Sequence, residues 1–395
     1  MLQNTHIAIV GAGAAGCFIA ANLGRMCPGV DVTLFESAPR PMAKLAITGG
    51  GRCNITNSFQ GIRSLKEAYP RGESVMKRAL KEFSQDDTVR WFQEAGVPLV
   101  LQEDHCWFPQ SQDALDVVRC LERSISFAKL RLKAKVESVL PGQTGYIVNG
   151  EHFDIVIITS GGAVHGIPFL SDIAIVKPVP SLFTFKIEDN SLRSLMGIVV
   201  EAALSIPGAG FKASGPLLVT DWGLSGPATL KLSSYAARYL ADNAYRAPLS
   251  VNWMNMREDE VREKLTESIL SCSQKQIKTT HILPARLWEH IVKKSGLRED
   301  IRWAELGSRG LNKLASTLTA DNYQIAGKSR FREEFVTCGG VSLEEVSLSS
   351  LESKRHPGLF FAGEVLDIDA ITGGFNLQAA WSTGYVVAKA ISRIC

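Results

Sequence analysis

The sequence has 395 residues and no Cys-x-x-Cys pair; its eight cysteines, at 17, 27, 53, 106, 120, 272, 338 and 395, stand apart. That spacing excludes a dithiol redox centre and argues against a zinc site, so no metal is expected and the thiols are read as reduced, in a cytoplasmic setting. The chain also lacks a long apolar run, since none approaches the ~20 residues of a membrane helix. Its first residues, Met-Leu-Gln-Asn-Thr-His, have no basic stretch leading into an apolar one, so no secretory signal is expected. Charge of one sign is missing as well: 43 Lys and Arg face 40 Asp and Glu, a net of +3. Such a field calls for neither a membrane nor a nucleic-acid partner. Repeats and low-complexity stretches are absent, and 45% hydrophobic with 21% charged residues excludes a disordered, collagenous or coiled-coil chain.

What is present is a mild excess of glycine, 34 residues, which is not spread evenly. Thirteen of them (11, 13, 16, 49, 50, 51, 161, 162, 339, 340, 363, 373 and 374) fall in six short segments of the first and last parts of the chain. The first segment has a definite context. HIAIV (6–10) reads as a strand, GAGAAG (11–16) as a turn into an Ala-rich helix reaching about Arg25, and VTLFE (32–36) as the next strand. Gly11 permits the tight turn, Gly13 lets a pyrophosphate approach the backbone, and Gly16 lets helix and strand pack closely. Glu36, 20 residues after Gly16, stands where an acid meets ribose hydroxyls and disfavours a 2′-phosphorylated nucleotide.

Other segments carry the same character. RPMAKLAITGGGRCNITN (40–57) reads as a donor-rich loop able to lie along an extended cofactor. FDIVIITSGGA (153–163) is an apolar strand that places Thr159, Ser160, Gly161 and Gly162 at the C-terminal edge of a sheet. In GLFFAGE (358–364) a strand meets Gly363 and Glu364, and ITGGFNLQAAW (371–381) opens the last helix. A second Gly-x-Gly-x-x-Gly in strand–helix context is missing, which speaks against a separate nicotinamide domain. Residues 72–95 read as one helix, 108–125 as another with Ser111 as N-cap, and 377–393 as the closing helix. The stretch 178–254 reads as mostly β with a helix at 226–241, and 256–334 as polar, helix-rich and locally basic.

Together, the Gly11–Glu36 unit, KLAITGGGRCNITN, FPQSQDALDVV, LLVTDWGLSGPATLKLS (217–233), TCGGVSLEEV (337–346) and GLFFAGEVLDIDAITGGFNLQAAWSTGY resemble the BaiN-like FAD-dependent oxidoreductases. This is a family of bacterial flavoproteins with a glutathione-reductase-type FAD domain and an inserted domain. The resemblance spans nearly the whole chain. It implies an α/β fold in which a Rossmann-like FAD-binding domain is built from both chain ends (1–180 and 335–395), with a β-rich inserted domain (181–255) and a helical insert (256–334). It implies FAD as cofactor and hydride transfer to or from it, with NADH or NADPH as a transient electron donor. By position it places Gly11, Gly13, Gly16 and Glu36 on the ADP half, Lys44, Arg52, Cys53 and Asn54 near the pyrophosphate or flavin, and Gly363, Glu364, Gly374, Asn376 and Leu377 near the ribityl chain and ring. Ala14, Ala15, Ser37, Gly51, Thr159, Ser160 and Gly161 are further cofactor-binding candidates.

One position departs from the family pattern: Thr220-Asp221 stands where members have Thr-His. The family fixes the cofactor better than the reaction, so the expected substrate is an unidentified small organic molecule entering between the FAD domain and the insert. No residue stands out as catalytic acid or base; Asp221, Asp367 and Asp369 are candidates. Cys53 is read first as a packing residue and second as a redox thiol beside the flavin. The alternative function is RNA modification or RNA binding through the helical insert, using Trp288, Lys293, Lys294, Trp303 and Arg309.

Overall fold

The computed structural model describes residues 5–162, 172–328 and 336–394. The chain forms two compact units, Met1–Val179 with Val336–Cys395, and Pro180–Phe335. The boundary expected at 334/335 lies outside the described residues.

The first unit is centred on a five-stranded parallel sheet. Its strand order is Leu359–Phe361, Ile155–Ile158, His6–Val10, Asp31–Phe35 and Lys129–Arg131. The central strands are apolar on both faces, as a sheet covered on two sides requires. The outermost strand, Leu359–Phe361, comes from the far end of the sequence, so the chain ends share one sheet. The first helix, Ala14–Met26, packs along the last, Phe375–Ser392. Gly384 permits this close approach, since a Cβ there would lie 3.2 Å from Ile19. Phe18 is the hub of an aromatic cluster with Phe83, Trp91, Phe92 and Trp381, at ring-centroid distances of 4.7–6.2 Å. Offset and edge-on rings of this kind add about 0.5–1.5 kcal/mol per pair beyond their burial.

Three local readings need correction. The segment 72–95 is two helices, Glu73–Glu82 and Gln85–Glu94, because Ser84 starts a new capping box with Asp87. The segment 108–125 begins as the strand Cys106–Pro109, and its helix, Ala114–Ser124, is capped by Asp113 rather than Ser111. Residues 43–51 are not a loop throughout. They start as a helix from Ala43 that buries Leu45 and breaks at Thr48, where the glycines take over.

The second unit holds a closed six-stranded antiparallel barrel. Its strands are Phe185–Ile187, Gly223–Ser225, Phe211–Val219, Val199–Ile206, Ala247–Asn252 and Asp321–Lys328. The last strand falls within the stretch read as helical. It pairs with both Ala247–Asn252 and Phe185–Ile187 and so closes the barrel. The helices Glu258–Ser271, Ala285–Lys294 and Gly307–Thr319 are therefore inserted between two barrel strands, not appended after the barrel. The helix expected at 226–241 is two, Pro227–Tyr235 and Ala237–Asp242. Among the described residues no helix is long and apolar enough to cross a membrane.

Candidate functional site

The site is built where the parallel strands of the first unit end. Val10 leads into Gly11, whose φ is +104° and whose N–H donates to Phe35 O at 2.8 Å. A Cβ on Gly11 would meet Thr159 O at 2.4 Å, and one on Gly16 would meet Gly11 O at 2.0 Å. A Cβ on Gly13 would meet nothing within 4 Å. Two of the three glycines are thus fixed by packing, and the third faces open space. The helix that follows has Gly13 as its N-cap, with no side-chain cap and no acid in its first turn. Its free N–H groups and partial positive charge are left for an anion.

Thr159 positions this turn: its hydroxyl donates to Gly11 O at 2.8 Å and to Val10 O at 3.1 Å. Ser160 beside it is exposed. The Glu36 carboxylate accepts from Ala12 N at 3.0 Å and from Ala38 N at 2.8 Å, with Ser37 Oγ at 3.3 Å. It therefore stands against the glycine turn, half-buried, at the end of the neighbouring strand.

A second group of residues gathers around Glu364. One of its oxygens accepts from Thr337 N at 2.8 Å, and the other lies 3.9 Å from Lys44 Nζ. A Cβ on Gly161 would be 3.7 Å from this carboxylate, and one on Gly162 would be 3.1 Å from it. Gly363 takes φ +74°, and a Cβ there would be 2.9 Å from that of Ala15. Residues from four separate parts of the sequence (15, 44, 161–162 and 363–364) thus meet in one place. Thr337 completes the group; the sequence signal beside it, the pair Gly339–Gly340, which lies in the strand Val336–Val341, gave no role to the Thr.

The Gly49–Gly51 turn has φ of 59°, 70° and 84° at its three glycines, and Cβ atoms on Gly50 and Gly51 would meet nothing within 4 Å. Arg52 is exposed and stacks over the Phe108 ring at 4.6 Å. Cys53 is wholly buried; burial pushes its thiol up to about 12, against a hydrogen bond with Thr48 that lowers it. A neutral thiol of that kind is a packing group and not a thiolate nucleophile.

The closing helix begins at Gly374, with φ +87° and no acid in its first turn. Asn54 spans the gap to it, accepting from Gly374 N at 3.2 Å and donating to Thr56 O at 3.0 Å. Asn376 folds back, accepting from Ala370 N at 2.9 Å and donating to Ala370 O at 3.1 Å, and Asn57 donates to Gly373 O at 3.0 Å. Leu377 is half-buried in the same turn. Below it, the buried Gln378 Oε1 accepts from Thr56 Oγ1 at 2.5 Å and Thr88 Oγ1 at 2.9 Å. Sequence reasoning missed Gln378, because a polar residue inside an apolar helix shows its partners only in three dimensions.

The three acid–base candidates fare differently. Asp369 is buried in an ion pair with Arg71, so it anchors the loop before the closing helix. Asp221 is exposed in a barrel turn, and its carbonyl accepts from Arg193 Nε. Asp367 is half-buried, its N–H donating to Val341 O at 2.9 Å.

The donor set fits a dinucleotide with a fused ring. Open space at Gly13 before an uncapped helix suits a pyrophosphate, and the Glu36 carboxylate beside it suits ribose hydroxyls. A second uncapped helix start at Gly374 suits a ring that gains negative charge on reduction.

The family model described as "HI0933-like protein Rossmann domain" matches residues 5–390. The ribosomal RNA dihydrouridine synthase of Escherichia coli is 30% identical over 407 residues, covering 96% of each chain. The 3-dehydro-bile acid delta(4,6)-reductase of Clostridium scindens is 25% identical over 410 residues, covering 98% of this chain and 99% of that one. Among solved structures, the 3-ketosteroid delta1-dehydrogenase of Sterolibacterium denitrificans superposes with a TM-score of 0.51 at 13% identity over the full length of both chains, a likeness of fold. The chain belongs to the HI0933-like Rossmann family, the FAD-dependent oxidoreductase family that its motifs resemble.

Proposed function

We propose that this enzyme is an FAD-dependent reductase that adds two hydrogens across a C=C bond conjugated with a carbonyl, and that its substrate is a uracil base of ribosomal RNA. The observation that carries the reading is the pair of near-full-length relatives, whose names share this chemistry. A dihydrouridine is a uridine whose C5=C6 bond, conjugated with C4=O, has been reduced. A delta(4,6)-reductase of a 3-dehydro bile acid reduces ring double bonds conjugated with the 3-keto group. The RNA substrate takes precedence over a small molecule because the identity is 30% to the first and 25% to the second.

Bound FAD supplies the hydride chemistry. The protein's part is to bind and orient. In this reading the N–H groups behind Gly13 hold the pyrophosphate, Glu36 the adenosine ribose, and Lys44, Gly161 and Glu364 the middle of the cofactor. The helix start at Gly374, fixed by Asn54 and Asn376, would hold the flavin ring. A nicotinamide is the proposed electron source, used transiently because only one dinucleotide fingerprint is present.

The test is nucleoside mass spectrometry of ribosomal RNA from a strain lacking the gene. Loss of dihydrouridine, restored by the gene in trans, is expected. Unchanged dihydrouridine, together with reoxidation of the reduced enzyme by a 3-keto-4,6-diene steroid, would move the substrate to the bile-acid type.

A further inference from the structure

A polyanionic substrate needs a surface that holds it, and the helical segment of the second unit has one. Charge is divided along this segment. Residues 256–274 contain three Lys and Arg against five Asp and Glu, a balance of −2; residues 275–313 contain nine against four, a balance of +5. Two of those four acids, Asp300 and Glu305, lie 4.0 and 2.9 Å from Arg298, which pairs with both. Lys275, Arg286, Lys293, Arg302, Arg309 and Lys313 are exposed and have no acidic partner within 4 Å among the described residues.

The fold brings four of these cations together as two pairs from separate stretches. Gln276 pairs with Arg302 in an antiparallel bridge, and Trp303 N donates to Lys275 O at 3.1 Å, so Lys275 and Arg302 leave from adjacent chain segments. Lys313 Nζ comes within 3.8 Å of a Cβ built on Gly296, just past the helix Ala285–Lys294 that carries Lys293. The support beneath is rigid. Trp288 and Trp303 stack at 6.4 Å and are wholly buried, and their ring N–H groups donate to Ile277 O at 2.8 Å and Thr280 Oγ1 at 2.6 Å.

This corrects the sequence reading of the segment. Its two aromatic residues, Trp288 and Trp303, are core and present no ring to an unpaired base. With the Trp rings buried and the His281 imidazole the one exposed ring of the segment, the surface engages RNA chiefly through its phosphates.

We infer that the basic surface of residues 275–313 docks folded ribosomal RNA through its phosphates, not by stacking on single-stranded bases. The inference rests on the ribosomal-RNA reading above. Its test uses the FAD-loaded enzyme, deproteinised bacterial ribosomal RNA and a variant carrying Lys275→Glu, Lys293→Glu, Arg302→Glu and Lys313→Glu. Wild type is expected to bind with an affinity that falls steeply with salt. The variant is expected to bind about tenfold more weakly or worse, with a shallower salt slope and unchanged flavin absorbance. Gln at the same four positions, which keeps the polar side chains while removing charge, is expected to give a milder loss and guards against misfolding of the Glu set. Poly(U) is expected to compete no better than an RNA duplex. Wild-type binding by both variants, or preference for poly(U), overturns the inference. A complementation arm separates the two claims. If deletion of the gene leaves ribosomal dihydrouridine unchanged, the substrate reading fails. If deletion removes it and the charge variant restores it as fully as wild type, the surface inference fails while the reading stands.

Discussion

A Cβ on Gly16 would lie 2.0 Å from the carbonyl oxygen of Gly11, whereas the intervening Gly13 has open space around the same position. Two fingerprint glycines are therefore fixed by packing while Gly13 is left open for the proposed pyrophosphate, and mutation distinguishes them. Gly13→Val is expected to fold, since φ −83° at this residue is open to any L-residue, but to lose FAD. Gly16→Ala is expected to lower the thermal midpoint sharply or to abolish soluble expression. Stoichiometric FAD in purified Gly13→Val would show that the pyrophosphate lies elsewhere.

Arg71 and Asp369 anchor the loop that leads to the closing helix. The Nε of Arg71 lies 2.6 Å from one oxygen of Asp369, and an Nη reaches the other; the carboxylate side chain is 0% exposed. Breaking a buried pair on one side leaves an uncompensated charge, at a cost of about 3–5 kcal/mol. Arg71→Met is therefore expected to lower the urea midpoint of flavin release and to weaken FAD retention. Paired replacement by Met and Leu is expected to recover part of that loss. An unchanged midpoint for Arg71→Met would remove the anchoring role.

Cys53 is expected to be chemically silent. Its thiol is raised from 9.0 to about 12 by burial, so it stays protonated at neutral pH in the folded enzyme. Iodoacetamide at pH 8 should leave it unmodified until the protein unfolds, and Cys53→Ser should keep flavin reduction close to wild type. The sign of the pH effect follows from the raised value. The unfolded thiol ionises near 9 and the folded one does not, so its contribution to stability is intact below pH 9 and falls as pH rises from 9 toward 12. Rapid alkylation of native Cys53, read by peptide mass spectrometry, would contradict this.

Much of the fold was legible because its signals are local. The strand, turn and helix of 6–26 and the Glu at 36 announce themselves by period and spacing, and the return of glycine-flanked apolar strands near both chain ends points to one shared sheet. What stayed hidden depends on distance. The barrel is closed by Asp321–Lys328, whose alternation of Tyr323 and Ile325 with polar neighbours is too short to stand out before Ala326-Gly327 and whose partners lie at 185–187 and 247–252. Gln378 and Asp369 look like isolated polar residues until Thr56, Thr88 and Arg71 are brought to them. Trp288 and Trp303 read as surface aromatics because basic residues flank them, and only their stacking and buried N–H bonds reveal a core.

The central claim, that this fold holds FAD for reductive chemistry, is met most directly by identifying the chromophore of the purified protein. The account predicts a yellow protein that releases one FAD per chain on denaturation, bleaches anaerobically with a nicotinamide, and loses the cofactor in Gly13→Val. A colourless protein that takes up no added FAD, or one that releases FMN, would contradict it.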